Sequence, residues 1–480
     1  MDAVSVFGRS VKRFPDRTFV FDAGTTLTYA QADERSDAIA SALVGAGLAP
    51  GETVGLSSPD RVEQLSAILG IWKAGLLPGL IDARTADDDL PYFVDDVGAK
   101  LVLATQDLHE RLGRAGAAEV ADITAFGDEA SAAVRRHGPD APLYLSYTSG
   151  TTGAPKGAIL LSEPVSVGTA CIADRIGLTR EDVLLATTPT ASSFQLVAAF
   201  LPAIHVGASI GLVAGRSTDE MWSIARDRAA TVLVAYPLTL ADVVNAPQAD
   251  AGSPFRVALS GGSPLAPRIK REYRDRLGIP LLESYGQSEL GGFMALGGHG
   301  DGERSMAGYV GRPLPDRPAY VGGPDTEELP PGEVGEVLVP FGFFDSYRNK
   351  PDQTAAAVAG GVLHCGDLAV ADPDGFLKVL GRTREAEAAS RRGGFLRELE
   401  DALYEHEGVQ HAAVVERASD GAVAAFIELR EGRTSSADEL TSFAAAKVAE
   451  GLRPVRTEIL EAMPRTFSGK ADRLSLASGA

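Results

Sequence analysis

Short apolar runs alternate with longer amphipathic stretches along most of the chain. Ala99 to Ala104, Leu143 to Ser146, Val183 to Ala186, Ile210 to Val213, Val232 to Ala235 and Val257 to Leu259 are brief and mostly apolar. That is the pattern of strands buried on both faces. Between them, stretches such as Ala30 to Val44 and Thr218 to Ala229 repeat their apolar residues at helical spacing. Strands alternating with helices predict parallel sheets under helical cover, an α/β fold. Leu377-Lys378-Val379-Leu380 reads as the last strand of this large part. Beyond Arg382 the pattern predicts a helix (Phe395 to Glu407), two strands (Ala412 to Val415, Val423 to Leu429) and a helix (Ser436 to Glu450). The expected division is a large N-terminal domain of helix-covered sheets, residues 1–381, and a smaller α+β domain, residues 382–480. Gly113 to Pro142 predicts a loosely packed connection, and Gly297 to Gly308 a mobile glycine-rich loop. No internal repeat is present.

Composition narrows the possible functions. A chain of 480 residues is long enough for more than one hydrophobic core. Its 45% hydrophobic and 23% charged residues are ordinary for a soluble enzyme. A net charge of −20 argues against a nucleic-acid partner, which requires a basic face, and against docking on anionic membranes. Cys171 and Cys365 are far apart and imply no disulfide framework. The start, Met1-Asp2-Ala3-Val4, has no basic region before an apolar run, and no run reaches the roughly 18 residues of a membrane span. A cytoplasmic protein is expected. Abundant alanine and an excess of arginine over lysine suggest a GC-rich bacterial genome.

The densest chemical signal is Tyr147-Thr148-Ser149-Gly150-Thr151-Thr152-Gly153-Ala154-Pro155-Lys156-Gly157, directly after the strand-like Leu143 to Ser146. Small residues let backbone N–H groups and hydroxyls close around an anion, and Lys156 adds a point charge for phosphate oxygens. Pro155 before the lysine separates it from the common P-loop pattern.

This loop resembles that of the AMP-forming adenylating enzymes: acyl-CoA synthetases, peptide-synthetase adenylation domains and luciferases. Further motifs follow in that family's order. They are Leu27-Thr28-Tyr29, Trp72-Lys73-Ala74-Gly75, Ser260-Gly261-Gly262-Ser263-Pro264-Leu265, Tyr285-Gly286-Gln287-Ser288-Glu289 and Gly332-Glu333-Val334-Gly335-Glu336. Gly366-Asp367, Gly381-Arg382 and Pro464-Arg465-Thr466-Phe467-Ser468-Gly469-Lys470 complete the series. The resemblance spans essentially the whole chain and is closest in style to acyl- and aryl-CoA ligases.

The resemblance implies ATP, Mg²⁺ and a small-molecule acid, with CoA or an acyl carrier protein as thiol acceptor. Thr148, Ser149, Gly150, Thr151, Thr152, Gly153 and Lys156 would hold the ATP phosphates. Gly261, Gly262, Ser263, Tyr285, Gly286 and Ser288 would line the adenine side, with Tyr285 stacked on the base. Asp367 would accept the ribose hydroxyls, and Arg382 would serve ribose or phosphate. Glu289 is expected as the metal ligand, since magnesium prefers carboxylate and phosphate oxygens. Lys470, carried on a swivelling lid hinged after Gly381-Arg382, would clamp the α-phosphate and the attacking carboxylate.

Two departures leave alternatives open. The hinge reads Arg384-Glu385, and Ser390 and Arg391 fall where the family has a glycine pair beside the thiol passage. Arg391 and Arg392 could instead hold phosphates of CoA or acidic residues of a carrier. The acid pocket, expected from Ser192, Ser193, Tyr236 and Gln287, lacks the family's aromatic–histidine pair and offers no carboxylate for an α-amino acid, favouring a small aryl acid. The alternatives are an adenylate-former with a non-thiol acceptor, such as nitrite activation toward an aryl amine in secondary metabolism, and a non-catalytic nucleotide-binding relative. His205 and His364 read as packed scaffold residues, and Cys365 as a buried inert thiol.

Overall fold

A computed structural model describes residues 1–59, 61–128, 138, 141–147, 155–315, 318–340, 342, 344–466 and 469–479. The described strands form four sheets. The largest has parallel strands at its centre, in the order Leu281–Gln287, Val257–Ser260, Val232–Ala235, Val183–Ala186, Ser209–Leu212 and Thr18–Phe21. A second runs from Phe344–Tyr347 through Gly157–Leu161, Pro142–Tyr147, Leu77–Leu80 and Thr53–Ser57 to Val102–Ala104 and Val120–Asp122. A third, built on Gly335–Pro340 and Val362–Ala371, ends with Leu377–Arg382. The smaller C-terminal region adds Val409–Glu416, Val423–Leu429 and Arg456–Leu460. The expected α/β architecture is therefore present, with a large sheet domain and a smaller domain after it.

Register places the site. Ala235 pairs with Ser260, and Ser260 with Glu283. Tyr236 and Gly261 consequently leave the carboxyl ends of their strands side by side, next to Ser284, where Leu281–Gln287 runs on to pair with Gly292–Leu296. Open α/β sheets form their crevices at such ends.

The early motifs are structural. Thr28 caps the helix Tyr29–Gly45, reciprocally with Gln31. The Tyr29 hydroxyl donates to the Ala208 carbonyl at 2.8 Å. Trp72 stacks on Phe200 at 5.5 Å. Beside it Lys73, 1% exposed, donates to Asp33, Asp37 and the Ser36 hydroxyl at 2.6–2.8 Å. A lysine can be buried there because acceptors from three residues of the neighbouring helix surround its ammonium.

The predicted elements recur with adjusted ends. The strand expected from Ala99 begins only at Val102, and the helix expected to Glu450 stops at Ala445. Gly297 to Gly308, expected as a mobile loop, contains the short helix Gly302–Met306. Asp301 accepts from the Gly298 N–H at 2.6 Å, and Arg304 pairs with Asp372 at 2.8 Å. Those side chains fix a segment whose composition alone suggested freedom. The strand Arg456–Leu460 was not anticipated, because its alternating polar residues sit at a sheet edge. Among the described residues no helix is long and apolar enough to cross a membrane.

Candidate functional site

The Ser260–Gly262 turn brings backbone and aromatic rings together. A Cβ on Gly261 would lie 2.4 Å from Phe194 Cε2 and 2.4 Å from Ser284 Oγ. Gly262 has φ +72°, and a Cβ there would meet Tyr236 Cε1 at 2.6 Å. Glycine is required at both positions, for close approach at the first and left-handed backbone at the second. Phe194 and Tyr236 stack at 5.2 Å, and the Ser192 and Tyr236 hydroxyls lie 2.6 Å apart. Burial pushes the Tyr236 phenol up to about 12. Ser193 and Ser288 approach to 3.4 Å between hydroxyls, on the same wall.

Lys470 comes into this group from the C-terminal domain. Its ammonium lies 5.0 Å from the Tyr236 ring centre, a cation–π distance, and its Cε is 3.2 Å from where a Gly262 Cβ would be. Burial, assisted by the nearby Arg382 charge, lowers its pKa to about 8. The lysine belongs to a small reverse turn: Thr466 N–H donates to the Lys470 carbonyl at 2.8 Å, and Arg465 bridges Ala471.

The motif Tyr285 to Glu289 divides its side chains by strand alternation. Tyr285 and Gln287, two residues apart on Leu281–Gln287, point the same way. The Tyr285 hydroxyl donates to Asp367 at 2.7 Å, and the Gln287 amide donates to Asp367 and to the Cys365 carbonyl, both at 2.6 Å. Arg382 pairs with the other Asp367 oxygen at 3.1 Å. Burial raises the Asp367 pKa, opposed by Arg382, Tyr285 and Gln287. Gln287 was expected in the acid pocket. The structure brings its amide to Asp367, on the side it shares with Tyr285 because of that two-residue period. Gly286 between them admits no side chain, since a Cβ would sit 2.0 Å from the Gly292 carbonyl oxygen. Ser263 turns its hydroxyl onto the Gly262 carbonyl at 2.9 Å.

Glu289 is 8% exposed and accepts from the Tyr347 hydroxyl at 2.5 Å. The Lys156 ammonium lies 4.4 Å from the centre of the same tyrosine ring. Tyr347 thus joins the lysine of the glycine-rich loop to the expected metal carboxylate, a role no sequence motif announced. Burial and the charge of Glu289 push its phenol well above the usual range, so it stays a donor. Thr148, Ser149, Gly150, Thr151, Thr152 and Gly153 lie outside the described residues. The flanks of that loop are fixed: the Tyr147 hydroxyl donates to Asp96 at 3.0 Å, and Lys350 pairs with Asp96 at 2.7 Å.

Asp367 owes its position to Glu336, from the Gly332 to Glu336 motif. That carboxylate contacts His364 Nδ1 at 2.8 Å and accepts from the Gly366 N–H at 2.8 Å. Gly366 has φ +67°. His364 thus lies against a structural carboxylate, and Cys365 is buried with its thiol pushed far up by desolvation.

After Arg382 the chain forms the helix Ala386–Arg392, ending on Gly393 at φ +76°. Arg391 pairs with Glu387 at 2.5 Å and Arg392 with Glu416. In this structure both arginines lie against carboxylates, Arg391 in an exposed pair and Arg392 in a more buried one.

No group of three or more metal-ligating residues occurs among the described residues. A single buried carboxylate is nonetheless what a magnesium ion completed by phosphate oxygens and waters uses, so Glu289 fits that ion.

Comparison with known proteins agrees with this geometry. The family model "AMP-binding enzyme" matches residues 7–340, and "AMP-binding enzyme C-terminal domain" matches residues 398–470. The chain is 28% identical to a sulfoacetate–CoA ligase of Cupriavidus necator, over 97% of this chain and 95% of that protein. It is also 28% identical to a fatty acid–[acyl-carrier-protein] ligase of Streptomyces coeruleorubidus, over 96% and 93% of the two chains. Among solved structures, a benzoate CoA ligase from Burkholderia xenovorans LB400 superposes with a TM-score of 0.90 at 23% identity, covering 100% of both chains. With adenylate-enzyme motifs at the strand ends and both family models matched in order, the chain belongs to the AMP-binding enzyme family.

Proposed function

We propose that this protein is an AMP-forming ligase that activates a small aryl carboxylic acid with ATP and passes the acyl group to the thiol of CoA or a carrier protein. One observation carries the reading: Lys470, from the C-terminal domain, lies over Tyr236 and Gly262 at the strand ends, with Arg382 and Asp367 close by. Carboxylate attack on the α-phosphate brings two anions together, so the site must supply positive charge where they meet. Lys470 and Arg382 supply it, and a donor of this kind contributes about 3–4 kcal/mol to the barrier.

In this reading Asp367 accepts the ribose hydroxyls, Tyr285 faces the adenine, and the loop from Thr148 to Lys156 holds the phosphates. Mg²⁺, held by Glu289, would offset phosphate charge. The pocket floor of Phe194, Tyr236, Ser192 and Ser193 is apolar with two hydroxyl contacts, which suits a flat acid bearing a polar substituent. In this reading the domain boundary is 381/382, next to Arg382, the last residue of the strand Leu377–Arg382. The residues beyond it act as the lid that turns between half-reactions, in the cytoplasm where ATP and CoA are supplied.

The test is pyrophosphate release with a panel of small aryl and alkyl acids, with and without CoA, alongside Lys470→Ala. Release that depends on an acid, rises with CoA and is lost in the variant is expected. Release indifferent to CoA, or seen only with nitrite and an aryl amine, overturns the thiol acceptor. Absence of release with every acid overturns the enzymatic reading.

A further inference from the structure

The helix Pro237–Asn245 starts immediately after Tyr236, the residue under Lys470. Along its length it meets the C-terminal domain three more times. Leu238 packs among Ala413, Val415, Phe426 and Met463. Asp242 accepts from His411 Nε2 at 2.7 Å, from the Gln410 amide at 3.0 Å and from Arg465 at 2.8 Å. Asn245 donates to Gln410 at 3.0 Å. His411 has no exposed surface, and Arg465 also approaches its ring nitrogen, at 3.1 Å.

Arg465 stands on the same reverse turn as Lys470. The Thr466–Lys470 hydrogen bonds, at 2.8 Å and 3.3 Å, and the Arg465–Ala471 bridge tie the two ends of that turn together. Fixing Arg465 against the large domain therefore fixes the base from which Lys470 projects. One carboxylate gathering three donors from two separate segments of the other domain is a directed contact, and charge-assisted bonds of this kind are the strong ones.

We infer that Asp242 is a positioning residue: through Arg465 and His411 it holds the turn that delivers Lys470 to the strand ends. It touches no substrate and acts only while the C-terminal domain sits as it does here. The inference rests on the proposed role of Lys470, but its first test needs no substrate.

That test is acylation of the full chain by N-hydroxysuccinimidyl acetate without ATP, followed by peptide mass spectrometry. Asp242→Ala and Arg465→Ala are each expected to speed labelling of Lys470 by about 5-fold or more, as local opening exposes the amine. Labelling of the exposed Lys12 and Lys447 is expected to stay unchanged. Buried Lys73 reports the fold: if it becomes labelled in Asp242→Ala, Arg465→Ala and Asp242→Asn are read in its place. The double variant is expected to label no faster than the faster single one, since both changes remove the same Asp242–Arg465 contact. Lys470 labelling at the native rate in these variants, or effects that multiply independently, overturns the inference.

With an acid that supports pyrophosphate release, Asp242→Ala should lower kcat roughly 10- to 100-fold with the KM for ATP unchanged, and Asp242→Glu should recover part of it. A raised KM at unchanged kcat overturns the positioning role. If no acid supports release, the proposed function fails while the labelling result still stands.

Discussion

The ammonium of Lys470 lies 5.0 Å from the ring centre of Tyr236, and burial there lowers its pKa to about 8. A lowered lysine pKa means the proton leaves earlier as pH rises. The Lys470 charge is present below about pH 8 and lost above it, while Arg382 stays charged. We predict that kcat/KM for acid activation falls on the alkaline side with an apparent pKa near 8, since that ratio reports the free enzyme. Arg382 acts in the same direction, whereas bound phosphates oppose it, so the limb in kcat should lie higher. A pH–rate profile flat to pH 10 would contradict the assignment of Lys470.

Tyr347 donates to Glu289 and carries Lys156 on its ring, so its two functions are separable. Tyr347→Phe keeps the ring and removes the donor to a buried carboxylate, a loss of about 1–3 kcal/mol. The expected result is a lowered thermal midpoint and a shifted Mg²⁺ dependence of pyrophosphate release, with ATP still bound. Tyr347→Ala removes both contacts and should also weaken ATP binding, measured by calorimetry.

Gly261 has no room for a methyl group beside Phe194 and Ser284. Gly261→Ala should push Phe194 across the acid pocket. The expected outcome is a KM for the acid raised roughly tenfold or more, with ATP affinity little changed. Equal losses for both substrates would place Gly261 at the nucleotide instead.

Lys270, on the helix Pro267–Glu272, and Glu283, on the strand that leads to Tyr285, form an ion pair of 2.6 Å with side chains 0% and 2% exposed. Lys270→Met leaves a buried carboxylate near Arg397 alone and should cost about 3–5 kcal/mol in urea unfolding. The double change Lys270→Met with Glu283→Gln should restore most of it, because the amide still accepts from the Leu265 N–H.

What the sequence made legible was local. Gly261 and Glu289 sit at bends just past strand ends, and Tyr285 and Asp367 sit within strands beside Gly286 and Gly366, where neighbouring residues determine the backbone and the motif travels as a unit. Pairings between distant segments had no such signature. Asp242 meets His411 and Arg465 across 169 and 223 residues, and none of the three lies in a pattern that names its partner. Gln287 was assigned by adjacency to its motif, whereas strand alternation put it with Asp367. The helix Ala386–Arg392 was read by analogy with a glycine-containing segment, although Ala-Glu-Ala-Ala-Ser-Arg-Arg has good helical propensity.

One apolar cluster crosses the boundary between the domains. Leu240, Ala241 and Tyr273 of the large domain share it with Leu399, Val409, Val414 and Ile427. A continuous core couples the melting of its contributors. Heat or urea should therefore meet these regions as one cooperative unit. A chain cut after Gly381 would leave the outer face of helix Pro237–Asn245 without its apolar cover, and such a fragment would tend to self-associate.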